Sequence, residues 1–149
     1  MYTPHTVTLF NAIEDAESLE MSYNMTVLDG VFLDCTERKS NTNTGAQPGN
    51  TVTLYIPFNV TAKDVFTAAE KLYQPPKVFD NADDKSTLWT LKSAGESSGA
   101  ACYFVKGIVP EAISYGKLKE AYDDVYDISS VRTLDYGSAD MQHWMVTGS

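Results

Sequence analysis

The chain has 149 residues, 43% of them hydrophobic, with nine Tyr, six Phe and two Trp, which is the size and composition of one globular domain with its own core. Twenty acidic against eleven basic side chains leave a net charge of -9; this opposes charge-driven binding to phosphate backbones or anionic lipid, and it also suits a merely soluble surface. Nowhere do the roughly 18 apolar residues of a membrane span run together, and the opening Met-Tyr-Thr-Pro-His-Thr lacks a basic and then apolar leader, so the expectation is a soluble chain in a reducing cytoplasm.

Thr6-Val7-Thr8-Leu9-Phe10 alternates polar and apolar residues as a half-buried strand does. An acidic, loop-like stretch is expected from Asn11 to Glu20. Asp29-Gly30 separates two β-rich runs, Ser22 to Val27 and Val31 to Glu37, and it predicts a hairpin tip there, because glycine tolerates positive φ. On the second run Val31, Leu33 and Cys35 share one face.

Residues 40–50 hold no large apolar side chain, so nothing offsets the entropy of ordering them and a mobile loop is predicted. Thr51 to Ile56 alternates again, with Val52, Leu54 and Ile56 inward and Pro57 ending the strand. Thr61 is placed to cap an amphipathic helix carrying Val65, Phe66, Ala69, Leu72 and Tyr73 and stopped by Pro75-Pro76. Asp80, Asp83 and Asp84 follow in an extended, acidic stretch; without the alternate ligands and turning glycine of a calcium loop they read as a solvated turn.

Ser86 to Leu91 and Ala101 to Lys106 read as a second hairpin joined by a small-residue loop, Ser93 to Gly99. Pro110 to Tyr122 predicts a further short helix, and Val125 to Leu134 and Met141 to Thr147 two closing strands around the turn Asp135-Tyr136-Gly137-Ser138. The whole, residues 1–149 as a single domain, is expected to be mainly β: a small antiparallel β-barrel or sandwich with one or two short helices.

Chemistry-bearing patterns are absent from the text. His5 and His143 have no Cys, His or carboxylate at metal-ligand spacing. Cys35 and Cys102 lie in apolar-rich runs, where a thiol behaves as a small buried hydrophobe. No Gly-x-Ser-x-Gly elbow and no phosphate-wrapping glycine loop occurs. Asn24-Met-Thr and Asn59-Val-Thr match a glycosylation sequon that needs a secretory route. The expectation is therefore no enzyme, no metal and no cofactor. Contact residues are sought instead in the loop, at Thr44, Gly45 and Gln47, and at the strand aromatic Tyr55.

Tyr2-Thr3-Pro4-His5-Thr6-Val7-Thr8-Leu9-Phe10-Asn11 with Thr26 to Val31 at one end, and Asp127 to Val131 with His143-Trp144-Met145-Val146-Thr147-Gly148 at the other, resemble tailed-phage head-tail stopper or minor capsid proteins of the neck. Residues 61–122 carry no part of that resemblance. It implies a virion β-barrel subunit, made in the bacterial cytoplasm, that forms a homo-oligomeric ring between connector and tail. Its partners would be other neck and tail proteins, with no membrane and with DNA as a passing occupant of the channel. An acidic lumen suits passage because it does not grip phosphate. The alternative is an acidic binding protein that mimics nucleic acid and fills a basic groove on a host protein.

Overall fold

Val7, Leu9, Val31, Leu33, Val52, Leu54 and Ile56 stand at alternate positions of three runs and are all buried, as a two-residue period requires when one face of a sheet meets a core. The computed structural model describes residues 3–14, 21–39, 48–93, 102–111, 113 and 115–148. Their elements are β1 (His5–Glu14), β2 (Met21–Lys39), β3 (Pro48–Pro57), β4 (Thr61–Asp64), β5 (Leu72–Tyr73), α1 (Pro76–Asn81), β6 (Leu88–Trp89), β7 (Tyr103–Lys106), α2 (Tyr115–Ala121), β8 (Val125–Leu134) and β9 (His143–Gly148). Six antiparallel strands in the order β1-β7-β8-β9-β3-β2 close on themselves through a β1–β2 pairing. The chain is thus the mainly β barrel with two short helices that its alternation implies. Closure removes the open edges that a flat sheet would leave.

Two cores result. Inside the barrel, Val7, Leu9, Leu28, Leu54, Phe104, Ile128, Trp144 and Val146 pack together. Outside it, the opposite parity of β1 and β7 presents Phe10, Tyr103 and Val105, which Leu118 of α2 covers. Phe10 stacks on Tyr103 at 4.7 Å, with Tyr23 edge-on to both. Each such aromatic pair adds about 0.5–1.5 kcal/mol beyond area burial.

At 19 residues and ~3.3 Å per residue, β2 serves two partners in turn. Its first part pairs with β1, from Met21 to Val31, and its second with β3, from Phe32 to Lys39. Both pairings outrun the barrel wall. Residues 11–14 opposite 21–24 extend past the β1–β7 pairing, and 36–39 opposite 48–51 extend past the β3–β9 pairing. Of the first extension Asn11 and Ala12 stay buried, Asn11 through bonds to the Thr90 carbonyl and Cys102 Sγ.

Asp29 and Gly30 are not a hairpin tip. They lie inside β2, where His5 faces Val31 and Thr6 faces Asp29, so Gly30 is the extra residue of a bulge with φ +93°. The positive φ was correctly signalled by the dipeptide, but it bends one strand instead of reversing the chain. Asn11 to Glu14 likewise extend β1 in place of the expected loop, and 15–20 lie outside the described residues.

The helix expected from Thr61 to Tyr73 does not form. Thr61 to Asp64 is β4, which takes up pairing with β2 at Asp29 to Thr26. Asp64 Oδ2 then accepts the N–H groups of Phe66 and Thr67 at 2.9 and 3.0 Å, and Ala68 turns with φ 60°. An aspartate that bonds the backbone two and three residues on makes a turn of what spacing alone offered as a first helical turn. The supposed apolar stripe is split: Phe66 is 58% and Leu72 70% exposed, while Val65 packs against the outer core and Tyr73 against the barrel core. The helix comes later, at Pro76–Asn81, where the text read as extended. Nor are Ser86 to Leu91 and Ala101 to Lys106 a hairpin: β6 pairs in parallel with β5, whereas β7 pairs with β1 and β8. The final helix is confined to Tyr115–Ala121 of the expected Pro110 to Tyr122, and the two closing strands form as predicted, within two residues.

Candidate interaction surface

The inward residues of β2, β3 and β9 leave Phe32, Tyr55 and Met145 on the outer face, aligned by the register Phe32 opposite Tyr55 and Tyr55 opposite Met145. Their rings form a row. His5 lies 5.7 Å from Phe32, Phe32 5.9 Å from Tyr55 and Tyr55 5.8 Å from His143. All four are half-buried, so the barrel's exterior carries a band of aromatic surface with a histidine at each end. Half-buried rings of this kind suit a protein contact, since they offer large area at little entropy cost.

Tyr55, anticipated as an exposed contact residue, sits at the centre of this row. Thr44, Gly45 and Gln47 lie outside the described residues, as do all of 40–47, while 48–50 of the expected loop pair with 37–39 as the start of β3. The rest of the row was missed because Phe32 and His143 are far apart in sequence. Outward parity on both runs was the available signal, but only strand pairing brings the two together.

Both histidines have positioning duties. His5 Nδ1 accepts the Leu33 N–H at 3.0 Å, and His143 Nδ1 donates to the Met141 carbonyl at 2.7 Å. Cys102 is buried as expected and receives a 3.1 Å bond from Asn11 Nδ2; burial, despite that bond, pushes its thiol pKa up. Cys35 departs from expectation. It is exposed, with its Sγ 3.7 Å from the Tyr126 hydroxyl, which donates to Asp124 at 3.1 Å. Burial first, and then the neighbouring Cys35 and Asp124, drive the Tyr126 phenol pKa upward, so it stays protonated.

Buried charge is used structurally. Lys71 Nζ, fully covered, contacts Asp64 at 3.1 Å and donates to Asn24 Oδ1 at 2.7 Å, the Met25 carbonyl at 3.0 Å and Thr26 Oγ1 at 3.1 Å. Burial lowers the Lys71 pKa against the pull of Asp64. At Asp64 burial raises the pKa, but the bonds from Thr67, Lys71 and Phe66 together outweigh it and hold the carboxyl below the usual range. Asp80, one of the acids weighed for calcium, pairs with Lys92. Among the described residues no group of three or more His, Cys, Asp or Glu is placed to hold a metal.

A second surface feature lies on the far side of Trp144. A groove of about 510 Å³ runs between Pro75-Pro76 and β8, lined also by Phe58, Tyr73, Leu91, Val131, Thr133 and Asp135. Its floor is an aromatic cluster in which Trp144 meets Phe58 at 4.4 Å, Tyr73 at 4.3 Å and Trp89 at 5.5 Å. No sequence motif announced it, because its lining comes from five separate stretches of chain.

Compared with known proteins, the chain matches one family model, that of a family of unknown function, over residues 2–149. No curated protein and no solved structure matches it.

Proposed function

The chain belongs to DUF6751, the family of unknown function, and we propose that it is a structural subunit of a phage virion: a head-tail connector ring component that docks between connector and tail and lines a channel for DNA, without a chemical step of its own. The observation that carries this reading is the outer aromatic row of His5, Phe32, Tyr55 and His143 on a closed barrel. A barrel closed on itself has no use for such a band internally, whereas a neighbouring copy in a ring would cover it. The pairing of 36–39 with 48–51 past the β3–β9 register supports the same reading, since paired strands extending beyond the wall are suited to reach adjacent layers of an assembly. The net charge of -9 fits a wall that DNA passes without adhering.

Sedimentation of the purified chain over a wide concentration range tests this. Concentration-dependent closed oligomers are expected, and Tyr55→Glu should dissociate them while leaving the unfolding midpoint nearly unchanged, because the side chain points away from the core. A chain that stays monomeric at every concentration and binds a basic protein in a salt-sensitive way would instead support the nucleic-acid-mimic alternative.

A further inference from the structure

We infer that the Trp144 groove is a docking site for an extended, cationic, proline-bearing segment of a partner polypeptide. This stands apart from the ring reading, for it uses different residues. The walls are Pro75 and Pro76 on one side and Val131, Thr133 and Asp135 on the other, over a floor of Phe58, Tyr73 and Trp144. Flat rings next to prolines are the surface on which a polyproline helix seats, because its rings stack on aromatics and its ordering costs little entropy.

Charge selects the partner. Asp135 is the one charged residue lining the groove among the described residues. It belongs to a chain of net charge -9, while the nearby Asp80 is already paired with Lys92. A cationic segment is therefore attracted and an acidic one repelled.

Trp89 and Trp144 are the only tryptophans in the chain; Trp144 lines the groove and Trp89 packs edge-on against it at 5.5 Å, so their emission reports on the groove. The probe is a synthetic peptide with proline at every third position and arginines between, compared with the same peptide bearing glutamates in place of arginines. A saturable emission shift is expected with the arginine peptide, weakened by salt, and absent with the glutamate peptide. Thr133→Arg, on the exposed wall, should weaken binding at least about tenfold without altering the unfolding midpoint; Tyr73→Ala should weaken it too, with a lowered midpoint because the ring packs on Trp89 and Trp144. Equal response to both peptides, no response to either, or undiminished binding by Thr133→Arg overturns the inference. So does a self-association of the wild-type chain that Thr133→Arg abolishes, because the occupant would then be a second copy.

Discussion

Replacing Lys71 by Met keeps the aliphatic stem and removes only the ammonium, which isolates its electrostatic work. In the folded protein Nζ is fully covered and serves Asp64, Asn24, Met25 and Thr26 at 2.7–3.1 Å. Loss of the cation leaves the Asp64 carboxylate without its counter-charge and three other oxygens without a donor. A buried, unsatisfied acceptor costs about 1–3 kcal/mol, and breaking one side of a buried ion pair about 3–5 kcal/mol; the terms overlap, so the larger range is the expected loss. Against the roughly 5–15 kcal/mol that holds a domain of this size together, this is a substantial fraction. Urea unfolding followed by tryptophan emission reads it well, since the Leu72 N–H bonds the Thr87 carbonyl and the Gln74 N–H the Trp89 carbonyl, tying the segment after Lys71 to the strand that holds Trp89. Adding Asp64→Asn to Lys71→Met should return about 1–3 kcal/mol by removing the orphaned charge. A loss under about 1 kcal/mol for Lys71→Met, or no recovery in the double variant, would refute the view that this ammonium pins β4 and β5 to β2.

The bulge at Gly30 requires a positive φ that an added Cβ resists, although it would meet only Thr3 Oγ1 at an ordinary 3.9 Å, so Gly30→Ala should cost about 1–2 kcal/mol in the same unfolding assay. Gly148→Ala fails for the other reason: its Cβ would lie 2.8 Å from the Asp127 carbonyl oxygen and 3.3 Å from Phe104, a backbone clash expected to cost about 1–3 kcal/mol. Native protein should expose one thiol to an aromatic disulfide reagent, Cys35, with Cys102 reacting only after denaturation, because burial both covers that thiol and raises its pKa. Asp64 titrates below its ordinary value of 3.8, so its contribution to stability is present above that pH and is lost as pH falls through the lower folded value; Asp64→Asn should flatten the acid limb of a midpoint-against-pH curve.

Residues such as Val52, Leu54 and Ile56 announce their strand because a two-residue period is local information, carried by the side chains themselves. The same holds for β8 and β9, where turn chemistry between two alternating runs leaves an antiparallel pair as the economical solution. Tyr55 was legible as an outward aromatic for that reason. Where the text misled, a local signal had two structural uses: positive φ at Gly30 serves a bulge as well as a hairpin, and an acid after Thr61 serves an Asx turn as well as a helix start. Nothing within either stretch chooses between them.

What the sequence determined by itself is the mainly β character, the inward residues of the main strands and the acidity of the surface, each a sum over neighbouring side chains. What only the tertiary structure decided is closure of the barrel, the division of β2 between two partners, the row that joins His5 to His143, and the groove over Trp144. Those depend on contacts between residues distant in the chain. Their energies arise only when all the strands are in place, and no local period encodes them.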